Sequence, residues 1–420
     1  MIEINFVFVL PFIILLALIA SGPILFKKDW EKYYPAISFS MALLVVLFYF
    51  FIFKNYGKIF HTLYEYLSFI ILISSLFVIS GGIFISIKGK STPKNNLIFL
   101  SIGALLANFI GTTGASILLI RPFIKVNKSR IKPFHIIFFI FIVSNVSGLL
   151  TPIGDPPLFL GYLKGIPFFW FTKNLFFPWL FTNLLILIVF YLIDLKEFKN
   201  HTKKFQNEII KEGEEASFKG LHNVGFLLII ILCVFIKEPI FLREIIFLLV
   251  AATSYYFTNK KIFLKNEFTF IPIKEVAILF FGIFFTMMPA IDWITSNAET
   301  LNIKTTTSFY WINGFLSSIL DNAPTFLNSF ALIMSLQNLN INNVNDVSQF
   351  ITQHSDFLKV ISFSSVAFGA LTYIGNGPNI LVKSIAEENK INMPTFFEYI
   401  FKYSILVLLP IYFVTWLLFF

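Results

Sequence analysis

The stretch Thr151-Pro152-Ile153-Gly154-Asp155-Pro156-Pro157 decides the architecture. It lies inside an apolar run that begins near Pro133, and it places a carboxylate, three prolines and a glycine where a membrane helix would continue. Proline lacks a backbone N–H and its ring clashes with the preceding turn, so three prolines this close together break a helix. A carboxylate at such a break is costly at membrane depth unless it has a task. The pattern returns as Thr372-Tyr373-Ile374-Gly375-Asn376-Gly377-Pro378-Asn379, with Thr, Ile, Gly and the last Pro at the same spacing.

Composition fixes the solvent. Of 420 residues, 57% are hydrophobic and 13% charged, and the mean hydropathy is +0.81. Soluble domains carry about 25% charged residues, so this is a bundle of membrane helices. The net charge of +9 does not point to nucleic acid, because the basic residues sit in short loops between apolar runs, as cytoplasmic loops do. Cys233 is the sole cysteine, which excludes an internal disulfide and a cysteine-based zinc site. The five histidines are scattered, without the HExxH spacing of a metalloprotease. The first basic residue, Lys27, follows the first apolar run rather than preceding it, so the expectation is a retained first span and not a cleaved leader.

A span needs roughly 20 mostly apolar residues. Candidates lie near 4–26, 35–53, 63–87, 133–163 (broken), 171–193, 222–237, 240–257, 272–290, 357–382 (broken) and 400–420. Two more apolar segments carry polar clusters in their middles: Gly111-Thr112-Thr113-Gly114-Ala115-Ser116 within 95–124, and Asp321-Asn322-Ala323-Pro324-Thr325 within 309–335. Lysines and arginines flank the first segment on both sides, whereas the flanks of the second are poor in them. Each segment is therefore expected to enter and return on one side as a re-entrant hairpin. This threading puts 24 of the 32 Lys and Arg residues in cytoplasmic loops.

The expected fold is an all-α polytopic membrane protein of about ten spans and two hairpins. Residues 1–193 form the first repeat, 194–221 a solvated cytoplasmic linker, and 222–420 the second repeat. Five spans per repeat is an odd number, so the second copy is inverted. Broken helices and hairpin tips then converge on a midplane site, the pattern of a secondary transporter. The candidate ion- or substrate-binding residues are Asp155, Asp321, Asn322, Asn376, Asn379, Thr112, Thr113, Asn108, Thr151, Thr325 and Thr372. This hard-oxygen inventory suits an alkali cation, with Asp155 and Asp321 as the sodium ligands. Each aspartate could instead cap a half-helix. Burial disfavours a charged carboxylate and a bound cation favours it, so one such site can hold either a proton or a cation.

At these motifs the chain resembles the ion-transporter superfamily, and within it the NhaD-type sodium/proton antiporters and the CitMHS-like citrate transporters. The residues that carry the resemblance are Asn108 to Pro122 (NFIGTTGASILLIRP), Asn145 to Gly165 (NVSGLLTPIGDPPLFLGYLKG), Glu275 to Ala290 (EVAILFFGIFFTMMPA), Leu320 to Asn328 (LDNAPTFLN) and Thr372 to Lys383 (TYIGNGPNILVK). The resemblance implies a scaffold domain, a moving transport domain that carries the hairpin tips and broken helices, and a homodimer in the inner membrane. Dicarboxylate symporters of that superfamily place Ser-Asn-Thr at the hairpin tips, where this chain has GTTGAS and LDNAP. Two aspartates there would repel an anionic substrate. The expected function is therefore sodium/proton antiport by alternating access, not an enzyme activity, with no cofactor beyond the transported ions. Cation-coupled citrate or dicarboxylate transport is the second reading. An intramembrane aspartic protease is a remote third, since Pro152 replaces the first Gly of GxGD and Leu320 stands where Tyr would precede the other aspartate.

Overall fold

The computed structural model describes residues 4–86, 91–203, 217–236, 238–301 and 303–420. The chain is a multi-pass, nearly all-helical membrane protein. Among the described residues, eight helical stretches are long and apolar enough to cross a bilayer. The first half contains α1 (Leu10–Leu25), α2 (Lys27–Leu47), α3 (Tyr56–Gly81), α4 (Pro93–Val126), α5 (Pro133–Ile142), α6 (Pro156–Leu163) and α7 (Trp170–Lys199). The one strand pair described, Phe84–Ser86 against Ser217–Lys219, runs antiparallel.

Apolar side chains fill the interior and also cover the outer surface. Every residue of α5 from Phe134 to Ile142 is buried, although the helix is apolar all round, as befits a helix enclosed by others. The outer helices turn large apolar side chains outward, Phe51, Phe177 and Leu406 among them, where lipid replaces water as solvent.

Length alone would make α4 a span, but it folds back on itself. Asn96 and Asn127 exchange side-chain hydrogen bonds of 2.8 Å in both directions, and the rings of Phe99 and Phe123 lie 5.2 Å apart. In a straight helix Asn96 and Asn127 would be about 46 Å apart at 1.5 Å per residue. The fold centres on Gly111, whose φ of 76° and ψ of 155° suit a residue without a Cβ. A second fold-back joins Thr306–Ile319 to Asn322–Leu336 through Leu320 and Asp321, both extended. Ser329 Oγ donates to Asn313 Oδ1 across its arms at 2.7 Å. Both begin slightly earlier than their apolar runs suggest, because Thr92 and Thr305 cap the first turns.

The two broken helices match in detail. After α5 the chain forms a 3-10 turn (Val146–Leu150), an extended Thr151, and then α6. After Ser355–Ala367 it forms a 3-10 turn (Phe368–Leu371), an extended Thr372, and then Gly377–Glu388. Thr151 and Thr372 share a φ of −138°. In each break two glycines let backbone meet backbone: a Cβ on Gly154 would lie 2.3 Å from Gly148 O, and one on Gly375 would lie 2.6 Å from Gly369 O.

Other boundaries also differ from the sequence reading. The linker expected from residue 194 starts later, since α7 continues to Lys199 and buries Asp194 and Glu197. These carboxylates hold the buried Arg130: its Nη1 reaches Asp194 Oδ1 and, at 2.9 Å, Glu197 Oε2, while Nη2 donates to Asp194 Oδ2 at 3.1 Å. His135 Nε2 stands 3.1 Å from the same Asp194 carboxylate, so loop, α5 and α7 share one polar cluster. Residues 204–216 of that linker lie outside the described residues. The apolar segments near 222–237 and 240–257 form the shorter helices His222–Cys233 and Leu242–Phe257, separated by a segment containing the helix breaker Pro239.

Candidate functional site

Asp155 is buried to 1% exposure at the start of α6. An aspartate at that position ordinarily accepts from the helix's own N–H groups, but its side chain makes no such bond. It accepts instead from three side chains on three other segments. Thr112 Oγ1, just past the fold of α4, donates to Oδ1 at 2.6 Å. Asn322 Nδ2, just past the fold of the second hairpin, donates to Oδ2 at 3.0 Å. Asn376 Nδ2, from the second broken helix, donates to Oδ1 at 3.3 Å. Both halves of the chain thus meet on one carboxylate whose partners are all uncharged.

Backbone bonds hold that meeting in place. Thr151 Oγ1 donates to Asn108 O at 2.6 Å, and its counterpart Thr372 Oγ1 donates to Ser318 O. Each threonine oxygen also accepts from the glycine that follows, Gly154 N and Gly375 N, both at 3.1 Å. Thr112 N donates to Gly154 O at 2.8 Å, which locks the first fold onto the first break. Under this equivalence Asn376 takes the place of Asp155, and Asp321 the place of Gly111.

A cavity of about 30 Å³ adjoins Asp155. Thr112, Thr113 and Gly154 line it, together with Phe69, Ile73 and Phe77 of α3, with no Lys, Arg or His in its wall among the described residues. Residues 1–420 match the family described as "Putative citrate transport". The chain belongs to this citrate-transport family. No curated protein matches it.

In this citrate-transport family member the eleven candidate residues separate by what they touch. Thr112, Asn322 and Asn376 bond Asp155 directly, and Thr113 faces the cavity. Asn108 is committed to the fold: its Oδ1 accepts from Leu150 N at 3.0 Å and its Nδ2 donates to Ala104 O at 3.1 Å. Thr151 and Thr372 brace the breaks, as above. Thr325 Oγ1 bonds back to Asp321 O at 2.9 Å, the ordinary fate of a helix threonine. Asn379 Nδ2 donates to Gly369 O at 2.9 Å and Thr372 O at 3.0 Å.

The two aspartates are not equivalent. Asp321 Oδ1 accepts from Ala323 N at 3.0 Å, so it caps its helix while Asp155 does not.

Sequence reading passed over Asn145 and Ser317. Asn145 Nδ2 donates to Asn379 Oδ1 at 2.7 Å, and its Oδ1 accepts from Asn376 Nδ2 at 3.3 Å, joining the two broken helices. Ser317 Oγ lies 2.8 Å from Asn322 Oδ1. A buried Asn just before a helix break was the available signal for the first. Ser317 gave none, because a serine in the last turn of an apolar helix reads like any other helix hydroxyl.

Proposed function

We propose that this chain is a secondary active sodium/proton antiporter of the inner membrane that works by alternating access, with Asp155 as the group over which cation and proton compete. The observation that carries the proposal is a buried carboxylate bonded only by uncharged hydroxyl and amide groups, at the junction of two fold-backs and two broken helices. With no fixed cation beside it among the described residues, such a carboxylate needs a mobile one, either a proton or a metal ion. The fold-backs act as re-entrant hairpins within an inverted repeat, and backbone that bends at membrane depth is tolerated where it lines a site.

The donor set suits a small hard cation. As oriented, Asn322 and Asn376 offer N–H groups to Asp155, which matches a carboxylate with no ion bound. An amide turned over offers oxygen instead. Asp155, Thr112 and turned amides then supply oxygens of the kind alkali ions accept. Protonation of Asp155 releases the ion, and the loaded or protonated site crosses with the elements that carry it.

Citrate or dicarboxylate transport coupled to a cation is the second reading, favoured by the description of the family. Against it, the cavity beside Asp155 has no cationic side chain to meet a carboxylate substrate.

The deciding experiment uses purified protein in proteoliposomes with a preset pH gradient. Sodium should collapse the gradient, and Asp155→Asn should abolish that response. Saturable citrate uptake with no sodium-driven proton movement would replace the first reading with the second.

A further inference from the structure

One face of α3 lines two cavities in succession. Lys58, His61, Thr62 and Glu65 border an outer cavity, and Phe69, Leu72, Ile73, Leu76 and Phe77 border the one beside Asp155. These positions recur at three- and four-residue steps and therefore form a single stripe. From Glu65 to Phe69 is about 6 Å along the helix axis. The outer cavity has a volume of about 40 Å³.

What separates the two cavities is a layer of rings and an ion pair. Phe69 lies 4.7 Å from Phe280, 5.6 Å from Phe284 and 6.4 Å from Phe159, measured between ring centres. Phe284 is in the wall of the outer cavity, and Phe69 and Phe159 are in the wall of the inner one. Just outside the layer, Lys164 Nζ lies 2.7 Å from Glu65 Oε1 and donates to Asn342 Oδ1 at 2.8 Å. His61 Nε2 stands 3.2 Å from the same Glu65 oxygen. The other charges here, Lys58 and Asp292, pair with one another, with Tyr49 Oη on Asp292 at 2.6 Å, and so tie α3 to the Ile271–Ser296 helix.

We infer that the Lys164–Glu65 pair and the Phe69–Phe159 ring contact form a gate between the outer cavity and Asp155. The inference rests on reading the Asp155 pocket as the transport site. Its mechanical logic comes from α6, which begins beside Asp155 and ends beside Lys164. One short rigid element thus carries the site residue at one end and the gate cation at the other, and Phe159 lies between them. Any movement of α6 along α3 that displaces Asp155 must also part Lys164 from Glu65 and Phe159 from Phe69. Under the positive-inside orientation, the Lys58 end of α3 faces outward, which makes this the external gate. A buried ion pair suits the task, since it is specific in geometry and its two charges can each be rehydrated when the cavities join.

The test uses the full chain in proteoliposomes, with Cys233→Ser removing the native thiol and Ile73→Cys placing one in the inner cavity. A membrane-impermeant maleimide added from the Lys58 side should label this thiol slowly. Adding Lys164→Gln and Phe159→Leu together, a mild pair chosen to preserve the fold, should raise the labelling rate at least tenfold. Equal rates with and without that pair would overturn the gate. Separately, Glu65→Cys with Lys164→Cys, joined by a reducible cross-linker, should stop sodium-driven proton flux until a reductant is added. Undiminished flux in the cross-linked protein would also overturn the gate. Gated labelling in a protein that exchanges no sodium for protons would keep the gate and discard antiport.

Discussion

The side-chain amide of Asn322 donates to Asp155 across 3.0 Å, so the tip of one fold-back reaches a helix break 167 residues earlier in the chain. Behind it, Ser317 Oγ carries one proton between two acceptors, Asn322 Oδ1 at 2.8 Å and Ser365 O at 2.5 Å. Turning the Asn322 amide over would let Asn322 donate to Ser317 and Ser317 donate to Ser365, leaving an oxygen facing Asp155. The reverse orientation keeps the hydrogen bonds around Ser317 and exchanges the one to Asp155 for an oxygen that only a proton or a cation can bridge.

Removing that amide should weaken cation binding. With the ion bound, the turned amide gives it an oxygen; on the scale of a hydrogen bond to a charged group that contact contributes about 1.5–3 kcal/mol, and 1.4 kcal/mol is a factor of ten. Asn322→Ala should raise the sodium concentration for half-maximal proton flux by about tenfold or more, with Ser317→Ala giving a smaller rise. An unchanged sodium dependence in Asn322→Ala would show that the amide serves packing alone.

Asp321 and Asp155 should respond differently to substitution. Asp321→Ser keeps an oxygen at the cap and should retain both stability and exchange. Asp321→Ala should retain exchange while losing about 1 kcal/mol of stability, the usual worth of a cap. Thermal unfolding in detergent, paired with flux, reads both. Loss of exchange in Asp321→Ser would return to a site with two working carboxylates.

The glycines of the breaks should tolerate no side chain. Gly154→Ala sets a methyl 2.3 Å from backbone Gly148 O, and Gly148→Ala sets one 3.0 Å from Asp155 Cβ and 2.8 Å from Thr112 Cγ2. Both variants should fail to give a monodisperse protein on gel filtration, or should lose exchange. Gly225→Ala is the control, with nothing within 4 Å of the added methyl in its helix. It should be neutral or stabilising by roughly 0.5–1 kcal/mol.

Arg130 should be needed for the fold rather than for ion movement. It is buried with Asp194 and Glu197, and removing one member of a buried ion pair costs about 3–5 kcal/mol. Arg130→Ala should cut the yield of folded protein sharply. Arg130→Lys should rescue it poorly, because an ammonium cannot reproduce the forked contact with Asp194. Equal thermal stability of Arg130→Lys and the unaltered protein would refute this account.

Competition at one carboxylate also fixes how pH and voltage act. Acid favours the protonated site, so the sodium concentration for half-maximal flux should rise as pH falls, by no more than tenfold per pH unit. One monovalent ion traded for one proton moves no net charge. Clamping the membrane potential with potassium and valinomycin should therefore leave the rate unchanged. A rate that follows the potential would require a second exchanging group.

Much of the site was legible because helix breaking is local chemistry. Three prolines around Asp155 and the glycines at Gly111, Gly154 and Gly375 act on their own backbone, so their positions mark the breaks and one fold without any partner in view. The recurring Thr-x-Ile-Gly spacing likewise pointed to Thr151 and Thr372. What the letters did not separate was role among like residues: Asp155 from Asp321, or the contacting Asn322 and Asn376 from the bracing Asn108 and Asn379.

By itself, the amino-acid order determined the solvent, the helical class and the places where helices stop, because hydropathy and proline or glycine geometry depend on near neighbours. Only the tertiary structure decided which carboxylate stands uncapped among neutral donors, that Asn145 joins the two breaks, and that Arg130 is buried with Asp194 rather than lying in a wet loop. Those outcomes depend on which segments meet across separations of up to two hundred residues and more, and no local propensity encodes such a meeting.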